Sequence, residues 1–333
     1  MKRVLLTFIL NLCLASVAMT AWSQNLAMKQ EKADDAIAVV GYFSKNDTMT
    51  YRQMHYKYII QGNDTTVSED YREKFMIVVT DSTSEGYKMK YIPLSFTLRD
   101  TSKVTSQVSI NNVALRQLMQ SAVCEFTTDE KGLLKSITNW REISDQLMKG
   151  VKATCDNLYA TIPDLDTAML RQQLEVIVAY RFGGEKGVRN SYMELKDLFG
   201  QHGSTFAIGD KEFETEYYGY PQLISSRVCY TTIEDEGDDF DDGDYNIATK
   251  YTLAIPYEEV MDADVGALPI KVSEMLNGCH EAEPNCEEVY VSDFYGFLFF
   301  KNGWPKKYYF EEAIGLGSRE SIETRYIECT SRN

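Results

Sequence analysis

Histidine is almost missing from this chain, and with it much of the chemistry that histidine supplies. Three occur in 333 residues: His55, His202 and His280. None sits in an HExxH metal motif, no GxSxG nucleophile elbow is present, and there is no Walker loop. Gly183-Gly184-Glu-Lys-Gly187 looks superficially like a phosphate loop, but it follows a helical stripe instead of a strand and reads as a helix end and turn. No CxxC pair exists and only His280 stands beside a cysteine, which argues against zinc. Basic residues are also short: 34 Lys and Arg against 50 Asp and Glu leave a formal charge of −16. Such a surface repels phosphate backbones and anionic bilayers, so nucleic acid is not an expected partner. Beyond residue 23 no stretch is apolar enough to cross a membrane. No fixed-period repeat and no low-complexity linker divides the chain. No catalytic residue, metal ligand or cofactor site is therefore predicted. Carboxylate pairs for glycoside cleavage stay open, because fifty acids offer too many combinations.

What is present begins with an export signal. Lys2-Arg3 is a basic n-region, Val4 to Val17 a mostly apolar h-region, and Ala21-Trp22-Ser23 places small residues where a signal peptidase inspects them. Residues 1–23 read as a signal peptide cleaved before Gln24. The apolar run is shorter than the ~20 residues a spanning helix requires. Leu12 before Cys13 is too large for a lipobox. Loss of Lys2 and Arg3 takes the charge from −16 to −18 and leaves 310 of 333 residues, enough for one large domain with a real core. The expected location is periplasmic or secreted.

Six cysteines follow the leader: Cys124, Cys155, Cys229, Cys279, Cys286 and Cys329. An even number in an exported chain suggests disulfides. Cys279 and Cys286, bracketing a polar loop, are the best pair; the others either pair across strands or remain buried thiols. The acidic run 234–244 holds carboxylates at a density that suits Ca²⁺, but Phe240 falls where an EF-hand needs an oxygen, and a solvated hairpin loop is the simpler reading.

Apolar periodicity places the elements. Met49–Gln61, Tyr71–Thr80 and Tyr87–Phe96 read as three strands of a meander, with Tyr56, Tyr58 and Ile60 on one face at period two. Asn111–Gln120 has helical spacing, and Ala122–Thr127 with Leu133–Ile137 a hairpin. Asn139 and Glu142 suggest a capping box opening a helix striped by Trp140, Ile143, Leu147, Val151 and Leu158. Two more stripes follow, at Leu165–Val178 and Tyr192–Phe199. Strands resume over 204–220, 227–233 and 245–255, then an amphipathic stretch over 257–276. The last segment is a second meander: 289–300, a turn at Asn302-Gly303, 306–310 and 322–328. Its first strand is apolar on both faces and needs cover on both.

Asp47-Thr48, Asp64-Thr65, Asp81-Ser82 and Asp166-Thr167, each followed by Met, Thr or Ala, match the Asp-Ser/Thr acceptor pattern of Bacteroidetes O-glycosylation, which offers Thr48, Thr65, Ser82 and Thr167. The same dipeptides also favour turns on their own account. The run Phe126-Thr-Thr-Asp-Glu-Lys-Gly132, then Ile137-Thr-Asn139-Trp140-Arg-Glu142, resembles a pattern in uncharacterised secreted proteins of Bacteroidetes, over about twenty residues. The leader ending in Ser23-Gln24 is similar to theirs. The resemblance implies an envelope or secreted context and carries over no functional residue.

These readings combine into a single α+β domain over 24–333: a large, curved, mostly antiparallel sheet with a helical insertion near 139–200 packed on one face. The expected function is a non-enzymatic envelope protein binding an apolar or amphipathic ligand, such as a lipid, between sheet and helices. Phe294, Leu298, Phe300, Tyr308, Phe310 and Trp140 are the candidate lining. The alternatives are a protein–protein interaction module using acidic groups and exposed tyrosines, and a carboxylate-dependent hydrolase.

Overall fold

The computed structural model describes residues 36–99, 107–160, 162, 165–231, 243–262, 272 and 287–332. The leader, the Cys279–Cys286 loop and most of the acidic run lie outside the described residues.

Strand-forming residues dominate, and they build mostly antiparallel sheet. Thirteen strands are described: β1 (Ala36–Ala38), β2 (Thr48–Gln61), β3 (Asp64–Thr83), β4 (Gly86–Leu98), β5 (Cys124–Thr128), β6 (Leu134–Ile137), β7 (Thr205–Ala207), β8 (Gly209–Tyr217), β9 (Tyr220–Tyr230), β10 (Tyr245–Pro256), β11 (Glu288–Phe299), β12 (Pro305–Leu316) and β13 (Arg319–Arg332). The helices are α1 (Gln107–Met119), α2 (Trp140–Tyr159), α3 (Thr167–Arg181), α4 (Glu185–Ser191), α5 (Met193–Phe199) and α6 (Tyr257–Asp262). Among the described residues eleven strands form one open sheet in the order β6-β5-β4-β3-β2-β13-β12-β11-β10-β9-β8, while β1 and β7 pair separately.

The two predicted meanders meet in the middle. β13 lies antiparallel to β2, from Arg319 opposite Gln61 to Arg332 opposite Met49. Register shifts interrupt the pairing at Lys57/Tyr58, Lys74/Phe75, Val79/Asp81, Leu298/Phe299 and Cys329/Ser331. Each such bulge bends its strand and increases local twist.

Period two gives the sheet two faces. One row runs Val228, Ile247, Phe297, Tyr308, Ile327, Gln53, Glu73, Phe96 across eight strands. Phe297, Tyr308 and Ile327 from it, with neighbours Tyr51, Phe75 and Tyr91, belong to one buried cluster with Leu147, Leu174, Leu195 and Phe199 from the helices. We call this face inner. A second cluster on the same side joins Leu253, Ile255, Val289, Ile314 and Leu316 to Val260 of α6. Each fully buried aliphatic or aromatic side chain contributes roughly 1.5–3 kcal/mol against exposure.

An aromatic knot closes the first cluster. Trp304 is fully buried, its ring 4.3 Å from Phe43 and 6.1 Å from Phe199. Its indole N–H donates to Asp47 Oδ2 at 3.4 Å. Gly303, at φ 80°, makes the turn possible: a Cβ there would fall 2.0 Å from the Val40 carbonyl oxygen. His202 Nε2 donates to the Gly303 carbonyl at 2.9 Å.

Several expectations need correction. Asn139 does not cap α2 through its side chain. Its amide instead clips the β5 edge, accepting from Glu125 N at 2.8 Å and donating to the Val123 carbonyl at 2.9 Å. These two backbone groups at the start of β5, which lies between β4 and β6, outcompeted the helix end. β3 is twenty residues long and begins at Asp64, not Tyr71. Thr65 and Thr66 pair with Ile60 and Ile59 of β2, so the partner strand extends a polar segment that has no apolar pattern of its own. Met169, read as part of the α3 stripe, is 41% exposed. Cys124, Cys155, Cys229 and Cys329 are all free thiols, so no disulfide occurs among the described cysteines.

Candidate ligand-binding face

The six residues chosen from sequence divide between the two sides of the sheet. Tyr308 and Phe310 point inward and are buried, with Phe310 beneath the Arg325 guanidinium at 4.7 Å. Phe294 and Leu298 alternate with Tyr295 and Phe297 and therefore face outward. Leu298 is buried there, and Phe294 lies half-buried with its ring 5.7 Å from Tyr309. Phe300, just past β11, sits beneath Lys306 and Arg332 at 5.0 and 4.8 Å. Trp140 is partly buried against the core with Arg141 over its ring. They do not line one groove. On the outer side of β11, Phe294 packs against Tyr309 of the neighbouring strand.

Between sheet and helices the described aromatic side chains pack closely. Phe43, Phe126, Phe199, Phe299, His202 and Trp304 interlock at ring separations of 4.3–6.2 Å. Burial pushes His202 down to about 4, against the Gly303 and Phe199 carbonyls, which favour its charged form.

Further along the inner face the layer is ionic. Arg116 of α1 donates from Nε to Glu73 Oε1 at 3.1 Å, closes a second bond from Nη2 to the same carboxylate, and reaches Glu194 Oε2 of α5 at 3.2 Å. Burial raises the Glu73 carboxyl and Glu194 adds to the rise, while Arg116 opposes both. His55 bridges Glu69, 3.5 Å from Nδ1, and Glu323, 3.2 Å from Nε2. For Glu323 burial acts upward, yet the His55 hydrogen bond and charge, with Lys57 and Arg325, hold the carboxyl far below its ordinary range. Arg325 also pairs with Asp197 at 3.5 Å. Glu73 and Glu194 are each 1% exposed and share one guanidinium. That arrangement holds charge in place.

The outer face is different in kind. Its rows read Gly296, Tyr309, Tyr326, Met54; then Phe294, Glu311, Thr324, Tyr56; then Ser292, Ala313, Ile322, Tyr58; then Tyr290, Gly315, Glu320, Ile60. Five tyrosines stand here, none of them buried. Three donate hydroxyl hydrogen bonds to carboxylates on the same surface: Tyr290 to Glu320, Tyr309 to Glu311, and Tyr326 to Glu328 at 2.8 Å. Tyr290 and Tyr309 are each pushed up to about 12, by burial first and then by those bonds, so both remain protonated donors. Sequence reasoning singled out only the Tyr56–Tyr58 alternation. The partners on β11–β13 were hidden because pairing of β2 with β13, 270 residues away, brings them together.

The acceptor candidates vary in access. Thr65 and Ser82 are exposed, with Ser82 donating to the Phe43 carbonyl at 3.1 Å; Thr48 and Thr167 are half-buried. Asp166 caps α3, accepting from Ala168 N and Met169 N at 3.1 and 3.0 Å. Asp244, at the end of the acidic run, is buried against Lys306 at 2.9 Å. An open cleft of about 370 Å³ between α2 and α3 is flanked by the Lys152–Asp156 and Arg171–Glu175 pairs, with Cys155 and Ala168 also in its lining. Among the described residues there is no group of three or more His, Cys, Asp or Glu placed to hold a metal, and no helix long and apolar enough to cross a membrane.

No family model and no curated protein matches the chain. Among solved structures, one described for lipid–protein interactions in lipovitellin is similar at a TM-score of 0.37 and 9% identity, over 87% of this chain and 26% of that one. This chain thus spans about a quarter of the lipovitellin chain. An outer membrane channel from Pseudomonas putida F1 gives 0.14 and 6%, over 90% and 99% of the two chains. A loop-deletion mutant of OmpT, an outer membrane protein of Vibrio cholerae, gives 0.18 and 6%, over 85% and 99%. Scores this low carry no argument about ligand or function.

Proposed function

We propose that this protein is an exported, non-enzymatic binding module of the cell envelope that takes its ligand or partner on the outer face of the large sheet. The leader-like residues 1–23 and the resemblance to secreted Bacteroidetes proteins motivate the location. In this reading the helical insertion covers the inner face and fills it with its own side chains. Among the described residues, the outer face carries an array of tyrosines that are not buried. That array is the observation that carries the proposal. Tyrosine supplies large amphipathic contact area at low entropic cost, which suits recognition more than core packing. The aromatic knot and the ion pairs occupy the described part of the layer between sheet and helices, which favours the outer face as the place for a ligand.

Footprinting tests the reading. The mature protein is nitrated with and without solubilised envelope material, and modified tyrosines are located by mass spectrometry. Protection of Tyr58, Tyr290 and Tyr309 relative to the helix residues Tyr159 and Tyr180 is the expected result. Protection confined to the helices, or none anywhere, overturns it.

A further inference from the structure

The large sheet is open, and its two edges are finished differently. At one edge β6 is four residues long, and α4 engages its outward backbone groups. Glu185 Oε1 accepts from Ile137 N at 3.0 Å, and Arg189 Nη1 donates to the Lys135 carbonyl at 2.9 Å. At the other edge lies β8, nine residues long and paired with β9 without a bulge. Among the described residues no backbone pairs with its other side. The hairpin shows which groups face that way. Its two turn residues, Tyr218 at φ 55° and Gly219 at φ 84°, have the positive angles of a type I′ turn. Tyr217 and Tyr220 therefore form a hydrogen-bonded pair, and such pairs recur at every second residue: Thr215 with Gln222, Phe213 with Ile224, Lys211 with Ser226. Asp210, Glu212, Glu214 and Glu216, lying between them, turn both N–H and C=O away from β9.

The same four residues set their carboxylates on the outer side at period two, and all four are exposed. Asp210 has Arg227 opposite at 3.7 Å, in a pair whose side chains are 78% and 72% exposed. Glu212, Glu214 and Glu216 face Ser225, Leu223 and Pro221, so no cation answers them across the ladder, and Lys250 stands two strands from Glu212. Lys211, Phe213, Thr215 and Tyr217 alternate on the other side of the strand. Charge is an ordinary guard for a sheet edge, but guarding requires neither one sign nor strict alternation, and β8 has no proline or bulge to blunt it. A second copy of the chain does not fit. Two β8 strands paired about a two-fold keep outer side chains opposite outer side chains, so carboxylate meets carboxylate, and like charges directly opposite destabilise. A strand with cations at every second position meets the row with opposite charge, while main-chain bonds supply affinity.

We propose that the open edge of β8 takes up an extended segment of a partner protein as an added antiparallel strand, with lysine or arginine at alternate positions opposite Asp210, Glu212, Glu214 and Glu216. This surface is separate from the tyrosine array, and the two are tested separately. The probe is the fluorescent peptide Lys-Val-Lys-Val-Lys-Val-Lys, blocked at both ends, titrated into the intact mature protein at low salt. Two variants of the peptide are N-methylated on the backbone, one at its lysines and one at its valines. Both keep the charge, but only the first loses the N–H groups that would meet the edge.

Saturable binding of the parent and valine-methylated peptides, and its loss on methylation at the lysines, are expected. Hydrogen exchange at Asp210, Glu212, Glu214 and Glu216 should be fast in the free protein and slow in the complex, while Phe213 and Thr215 are slow in both. The Glu212→Gln/Glu214→Gln/Glu216→Gln triple variant should bind roughly tenfold more weakly. The peptide comparison uses unaltered protein, so a folding defect in the variant leaves the test intact. No saturable binding, equal binding of the two methylated peptides, or slowed exchange confined to other parts of the sheet overturns the proposal.

Discussion

Replacing His202 by glutamine removes a titrating group from the knot where the N-terminal segment, α5 and the β11–β12 turn meet. His202 is 1% exposed, and burial holds its pKa at about 4 against an ordinary 6.5. The folded state therefore keeps the ring neutral while the unfolded chain protonates it below pH 6.5. Stability from this difference is complete above pH 6.5 and is lost as pH falls toward 4. The gap is worth about 3 kcal/mol in full, and about 2.5 kcal/mol of it is gone between pH 7.5 and 4.5. Glutamine keeps a donor for the Gly303 carbonyl, so the variant loses the titration without losing the contact. Urea unfolding at both pH values, for both proteins, gives a double difference in which every other titrating group cancels. The wild type should lose about 2.5 kcal/mol more than His202→Gln across that interval. Equal losses would mean that the ring is accessible to solvent, and the packing of the knot would be wrong.

Other perturbations probe the remaining layers. Arg116→Met leaves Glu73 and Glu194 buried without their shared cation and should cost about 3–5 kcal/mol in urea unfolding, while adding Glu73→Gln and Glu194→Gln should recover a large part. Gly315→Ala puts a methyl where the Tyr290 ring lies and should cost about 1–3 kcal/mol, with the Tyr290 signals shifting in the NMR spectrum. Asp166→Ala removes the cap of α3 and should cost about 1 kcal/mol by thermal unfolding; Thr167→Ala should stay within about 0.5 kcal/mol.

Much of the architecture was legible. Alternating β-branched and aromatic residues located both meanders, and the turn at Asn302-Gly303 fell as read. The stripes of α2 and α5 matched the buried residues Ile143, Leu147, Leu195 and Phe199. Strand ends were less legible, because segments such as 64–70 have polar patterns and become strand only through their partner. The ionic layer was opaque: Glu73, Arg116, Glu194, His55 and Glu323 come from five elements, and nothing local marks any of them as buried. The candidate site was half-legible. Tyr56 and Tyr58 stood out by alternation, yet their carboxylate neighbours arrive from β12 and β13 through long-range pairing. Aromatic runs such as Tyr308-Tyr309-Phe310 concealed the division of labour. The outer residues contact solvent and the inner ones contact helices, and composition alone does not separate them.

Nitration of the free mature protein, resolved tyrosine by tyrosine, tests the two-faced sheet most directly. Tyr58, Tyr290 and Tyr309 should react readily, while Tyr51, Tyr91, Tyr192 and Tyr308, each no more than 2% exposed, should resist until the protein unfolds. Comparable rates for the two sets, or outer tyrosines that stay protected without any partner, would contradict the account.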